Sequence, residues 1–247
     1  MTARSSKPAL LWLERQDHRK DAALMARLEA ALKPSFSAFV VHRGGETNAS
    51  VAVDPRGRLR AWPAWARKPV KALLLLGHPS RWNHYLVWWR GRDAALSKRN
   101  SLPERVGTLR AFLANQKAKH PRIVLLGRSI NAVTATMLAD EYGVEKVIAL
   151  GYAFRNPRIG HEPVRVRHLE HLRTPCLIVQ GTRDIYGGRE ITKAYRFSAF
   201  VEVSFVETDH DFALDDAGWD DLIARLREFI ESEPPAPVSR NAGIVSG

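Results

Sequence analysis

The chain has 247 residues, 45% of them hydrophobic, a formal net charge of +12 and one cysteine. This size and apolar fraction suit a single globular domain, and the lone Cys176, in the apolar run Cys176 to Val179, excludes an intramolecular disulfide and a thiolate metal cluster. The longest aliphatic run, Ala72 to Leu76, is far short of the ~20 residues that span a bilayer, and the charged start lacks the apolar core of a secretory signal. The expectation is a cytoplasmic protein without a membrane segment.

The positive charge would attract polyanions whatever the fold. Its carriers are scattered, however, through Arg15 to Lys20, Arg56 to Arg60, Lys98-Arg99 and Arg165 to Arg167, with no continuous basic tail. Nucleic acid is therefore not the expected partner; a solvated basic face, an acidic substrate or a protein partner fits better. The nine histidines form no His-Glu-x-x-His pattern, and neither a metal nor a cofactor is expected.

Taken in chain order, Pro8 to Glu14 reads as a strand, Asp21 to Leu32 as a helix and Phe36 to His42 as a second strand; one long helix from Leu10 to Leu32 is the competing reading. Asp54-Pro55-Arg56-Gly57 is a turn between Ser50 to Val53 and Arg58 to Ala61. Val70 to Leu76 reads as a buried strand, and His84 to Trp89 as a strand or a helix face. A helix covers Pro103 to Ala118, then a strand Arg122 to Leu126 and a helix Ile130 to Tyr142 closed by Gly143. Val147 to Leu150 and Cys176 to Val179 are apolar strands separated by an irregular loop with turns over Pro163 to His171. A helix over Gly188 to Phe197, a strand Val201 to Val206 and a helix Asp216 to Ile230 complete the domain. Residues 232–247, rich in proline, read as a flexible tail.

Strands alternating with helices imply an α/β fold, a mostly parallel sheet flanked by helices on both faces. The expected organisation is one domain over residues 1–231, with a divergent N-terminal part, 1–102, and a more regular core, 103–231. In such a sheet the loops after the strands gather at one rim. Ser129, Asp184 and His210 each follow an expected strand.

Gly127 stands two residues before Ser129, where a missing side chain lets strand and helix approach closely. A serine hydroxyl needs a base to become a nucleophile, and a carboxylate can fix that base's tautomer. The candidate roles are nucleophile for Ser129, general base and acid for His210, and orienting acid for Asp184, with the backbone N–H of Ile130 as one oxyanion donor. Taken singly, Ser129 and Asp184 could each be a helix cap and His210 an exposed loop residue.

Leu125-Leu126-Gly127-Arg128-Ser129-Ile130, Gly151 to Pro157, Glu162 to Arg165 with His168-Leu169, and Gln180-Gly181-Thr182-Arg183-Asp184-Ile185-Tyr186-Gly187 resemble the α/β-hydrolase superfamily. They resemble especially its small hydrolase-like family of the testis-expressed and histone-acetyltransferase-complex-subunit types. The resemblance carries an aspartate to Asp184 and a histidine to His210, and implies an esterase-like serine hydrolase. Two departures stand out. Asn131 replaces the glycine usual two residues after the serine, and Gly77-His78 inverts the usual His-Gly of the oxyanion segment. The second oxyanion donor is thus unassigned, with His78 one candidate; Leu10 to His42 could instead supply that unit, with Arg15 to His18 at its loop. Asn131, Arg155 and Trp88 are candidate substrate contacts, and Arg128, Arg155 and Arg183 could favour an acidic acyl compound. The alternative function is a catalytically impaired hydrolase-like domain used in protein binding or assembly, as a partner or a homo-oligomer.

Overall fold

Apolar runs short enough for strands alternate with amphipathic stretches long enough for helices, and a computed structural model arranges them as a parallel sheet with helices on both faces. It describes residues 7–14, 18–43 and 101–233. The candidate elements within residues 44–100, including His78 and Trp88, and the tail from residue 234 lie outside the described residues.

Two compact units divide the chain: Met1–Gly44 with Leu109–Gly247, and Gly45–Thr108. Of the second, only residues 101–108 are described. There Thr108 Oγ1 donates to the Glu104 carbonyl at 2.9 Å within the first turns of a helix.

The first unit begins with strand β1 (Ala9–Glu14), helix α1 (His18–Leu32) and strand β2 (Ala38–Arg43), so the strand-helix-strand reading holds over the single long helix. Helix α2 (Leu102–Lys119), strand β3 (Ile123–Arg128), helix α3 (Ile130–Tyr142) and strand β4 (Lys146–Leu150) follow. After a two-residue-strand hairpin, β5 (Arg155–Asn156) with β6 (Gly160–His161), come 3-10 turns over Pro163–Arg165 and Arg167–Glu170. Strand β7 (Cys176–Gly181), short helix α4 (Ile191–Ala194), strand β8 (Val201–Val206) and helix α5 (Asp216–Glu231) complete the chain. Helix α4 is shorter than the expected Gly188 to Phe197. Its end is set by tertiary packing: Tyr195 is extended, its ring stacked on Phe154 at 5.5 Å and on His161 at 5.3 Å.

The main sheet has the order β2-β1-β3-β4-β7-β8, all neighbours parallel. Alternate side chains face opposite layers. Leu10, Trp12, Val124, Leu126, Ile148, Leu150, Leu177 and Val179 meet Leu24 and Leu28 of α1 and Trp219, Leu222 and Leu226 of α5. Helix α3 packs on β3, β4 and β1 and is tied to α2 by the Arg110–Glu141 ion pair at 2.8 Å. Buried Lys146 donates to the Phe229 and Ile230 carbonyls at 2.6 and 2.9 Å, satisfying the C-terminus of α5.

The order reverses between β1 and β3: the chain leaves β1 toward β2 in one direction and β3 toward β4 in the other. In open α/β sheets the crevice beyond the strand ends at such a reversal is where ligands bind. Ser129 stands at the end of β3, at that position.

No helix among the described residues is long and apolar enough to cross a membrane.

Candidate active site

The turn from β3 into α3 is built around the missing side chain of Gly127. A Cβ there would lie 2.6 Å from the Cα of Ala132 and 2.8 Å from the carbonyl oxygen of Asn131, so only glycine lets the helix start this close to its strand. Ser129 takes φ 58° and ψ −123°, a left-handed conformation that L side chains rarely adopt. It stands at the N-cap of α3, yet its hydroxyl caps no helix N–H. The Ser129 backbone N–H donates to the Leu150 carbonyl at 3.0 Å, which leaves Oγ raised above the sheet's rim.

His210 meets that hydroxyl. Nε2 lies 2.9 Å from Ser129 Oγ, and Nδ1 lies 2.7 Å from Asp184 Oδ2. The carboxylate assigns the proton to Nδ1 and leaves Nε2 to accept from the serine. Ser129, His210 and Asp184 are therefore hydrogen-bonded in the order of a catalytic triad. Asp184 is 3% exposed; its Oδ2 also accepts from Gln180 Nε2 at 3.0 Å, and its Oδ1 from the Tyr186 N–H at 2.8 Å. These donors hold the carboxyl group in one orientation.

The loops after β7 and β8 are laced together. The Thr182 and Arg183 N–H groups donate to the Val206 and Thr208 carbonyls at 2.9 and 3.0 Å, and a Cβ on Gly181 would stand 2.7 Å from the Thr208 carbonyl oxygen. The Tyr186 ring lies against the His210 imidazole, centroids 4.3 Å apart. Asp209 and Asp211, acidic neighbours of His210, are both exposed, and Asp209 Oδ1 accepts from the Asp211 N–H at 2.9 Å.

Arg128 is not the surface or substrate-facing residue that sequence position suggests: it is fully buried. Its Nη1 donates to the Leu150 carbonyl at 3.2 Å and its Nη2 to the carbonyl of His210, while its Nε lies 3.6 Å from Asp21 Oδ1 on α1. The guanidinium stacks over Phe212 at 4.9 Å, and Phe212 itself sits at φ 58°. One side chain thus joins the elbow, the loop carrying His210 and α1. Burial of an Arg–Asp pair behind the nucleophile leaves no periodic or motif signal in the sequence; the one clue was an arginine continuing an otherwise apolar strand.

The other candidates divide. Ile130 is the first residue of α3, so its N–H has no carbonyl partner within the helix. Asn131 is buried, and its Nδ2 donates to the Glu14 carbonyl at the end of β1. Its amide ties the elbow to the neighbouring strand. Arg155, on the β5–β6 hairpin, pairs with Glu190 at 2.9 Å and donates from Nε to the Ile185 carbonyl at 3.2 Å. Arg183 pairs with Glu207 at 2.7 Å.

Sequence reasoning missed a polar cluster beneath α3. His168 Nε2 lies 2.8 Å from Thr136 Oγ1 and 3.4 Å from Tyr152 Oη, and Tyr152 donates to the Arg165 carbonyl at 2.5 Å. Burial draws the His168 imidazole down to a pKa of about 4 and pushes the Tyr152 hydroxyl well above its usual range. Cys176 is buried, and burial raises its thiol likewise, which removes it from nucleophilic chemistry. Among the described residues no group of His, Cys, Asp and Glu has a metal-holding arrangement.

Several solved structures share this architecture. An alpha-beta serine hydrolase homologue from Coxiella burnetii is similar over 91% of this chain and 84% of its own, with a TM-score of 0.53 and 16% identity. A metagenome-derived lipolytic enzyme of the LipS and LipT pair covers 91% of this chain and 94% of its own, with a TM-score of 0.54 and 12% identity. A serine hydrolase without a lid from Xanthomonas campestris covers 96% and 87%, with a TM-score of 0.52 and 12% identity. At such identities the likeness is one of fold. No curated protein matches the chain in sequence. The family model of the alpha/beta hydrolase domain matches residues 88–230, more than half of the chain and the whole stretch from β3 to the end of the triad: the chain belongs to the alpha/beta hydrolase family.

Proposed function

We propose that the protein is a serine hydrolase that cleaves an ester or related acyl bond through an acyl-enzyme. The observation that carries this reading is the unbroken chain from Ser129 Oγ through His210 to Asp184, at 2.9 and 2.7 Å, starting from a serine in a strained turn at the head of a helix. Ser129 Oγ attacks the substrate carbonyl carbon while His210 Nε2 takes its proton. The oxyanion that forms accepts from the Ile130 N–H. When the tetrahedral adduct collapses, His210 returns the proton to the departing alcohol, and the same base then activates water to release the acid and restore the serine.

The second oxyanion donor stays unassigned in this reading, with His78 one candidate and the segment after β1 the other. The end of β1 adjoins the elbow, with Leu13 opposite Gly127 and the Asn131 amide on the Glu14 carbonyl. The substrate class is an acyl compound. Arg128, Arg155 and Arg183 each stand against a carboxylate of the chain itself, which favours a neutral ester over an acidic one. The Gln180 to Gly187 loop, in which Gln180 braces the aspartate, supports placement within the small hydrolase-like family of the testis-expressed and acetyltransferase-subunit types, acting in the cytoplasm. Residues 1–231 serve this one function, with Gly45–Thr108 inserted in sequence within it.

Steady-state hydrolysis of p-nitrophenyl esters of increasing chain length tests the proposal. Ser129→Ala lowers kcat by about 10³-fold or more and Asp184→Asn by about 10²-fold or more. Equal rates in wild type and Ser129→Ala would overturn it.

A further inference from the structure

A pocket lies away from the triad, between the turns after β6 and the chain leaving α4. It has a volume of about 270 Å³ and is lined by His161, Val166, Arg167, Glu170, Tyr195 and Arg196 among others. Its walls are held by backbone and ring contacts: the Ser198 N–H donates to the Leu169 carbonyl at 2.9 Å, which draws the segment after α4 against the turn Arg167–Glu170. On the other side the Tyr195 and His161 rings stack at 5.3 Å, with Tyr195 Oη 3.1 Å from His161 Nδ1.

Several other arginines of the chain already have a carboxylate partner: Arg110, Arg155, Arg165 and Arg183 each pair with one within 3 Å. Arg167 and Arg196 are exposed and make no ion pair among the described residues, although both line one small pocket. Two guanidinium groups left facing a shared cavity are a cost to the protein alone and an asset to an anion. We propose that this pocket binds a phosphate group carried on a small hydroxylated molecule. The planar guanidinium forks of Arg167 and Arg196 suit the oxygens of a tetrahedral anion bidentately. His161 and Tyr195 bring further polar atoms to the same wall, and Glu170, the pocket's carboxylate, accepts a hydroxyl of the ligand. The volume is at the small end of metabolite sites and suits a phosphorylated polyol of a few carbons, not a nucleotide.

Calorimetric titration of the full chain with glycerol 3-phosphate at physiological salt tests this. One saturable site is expected in the wild type, weakened about 10-fold or more by Arg167→Ala with Arg196→Ala. Removing two exposed arginines outside the pocket, Arg158→Ala with Arg189→Ala, leaves it unchanged. Glu170→Gln narrows the preference for glycerol 3-phosphate over inorganic phosphate. Non-saturable heats, or equal loss in both double variants, would show diffuse attraction to a +12 chain and overturn the site; so would full retention of binding in the first double variant. If that variant's far-ultraviolet spectrum departs from wild type, Arg167→Gln and Arg196→Gln are read singly, with about 3-fold weakening expected of each and no weakening overturning the proposal.

Discussion

Ser129 is held in a backbone conformation that costs the fold on the order of 1–3 kcal/mol, and glycine would adopt φ 58° without that cost. Ser129→Gly is therefore expected to abolish hydrolysis and to raise the melting temperature by about 2–4 °C for each kcal/mol recovered; a lower melting temperature in calorimetry would contradict the strained elbow. Arg128 acts in the opposite sense. It and Asp21 are both fully buried, with Nε 3.6 Å from Oδ1, so Arg128→Met removes a positive charge beside a buried carboxylate and costs about 3–5 kcal/mol, read as a lower urea midpoint. Arg128→Met combined with Asp21→Leu recovers a large part of that loss, because the buried carboxylate goes together with its guanidinium neighbour. A loss below about 1 kcal/mol in the single variant would show that the pair does not bind the loop of His210 to the core.

At the scale of elements, the closeness of β3 and α3 sets the site. Gly127→Ala pushes a Cβ against backbone atoms of Ala132, 2.6 Å away, which cannot rotate aside. The helix must shift, at about 1–3 kcal/mol, and the hydroxyl shifts with it, so both urea midpoint and kcat fall; unchanged kcat would contradict the account. His168 ties α3 to the loop after β4 while neutral. Its pKa is drawn by burial from 6.5 down to about 4, so protons bind the unfolded chain first. Its contribution is complete above about pH 6.5 and is lost as pH falls toward 4, by up to about 3 kcal/mol. His168→Asn should flatten the urea-midpoint profile between pH 7 and 4.5, and identical slopes in both proteins would contradict this. Elements whose packing demands an obvious period were legible in sequence: α3 with its Gly143 cap, β8 and the apolar face of α5 lie where the pattern puts them. The β5–β6 hairpin was not, although Asn156 Oδ1 accepts from the Arg158 N–H at 2.9 Å and such a turn was open to recognition. Helix α4 stops where Tyr195 is captured by two rings distant in sequence, which no local pattern records.

For the molecule as a whole, strand order determines which loops can meet. Sequence alone offered two origins for the strand beside the nucleophile, and pairing selects β1: contacts more than a hundred residues apart decided what local composition could not. Ser129, Asp184 and His210 were legible because each follows an apolar strand. The buried Arg128–Asp21 pair behind them was not, because its partners are remote in sequence. The central claim is that three loops at one rim make a serine nucleophilic. Exposure to a fluorophosphonate followed by peptide mass spectrometry tests it most directly: one adduct on Ser129 is expected, formed at least about 10²-fold more slowly in His210→Ala. Absence of any adduct, or an adduct on another residue that persists in Ser129→Ala, would contradict it.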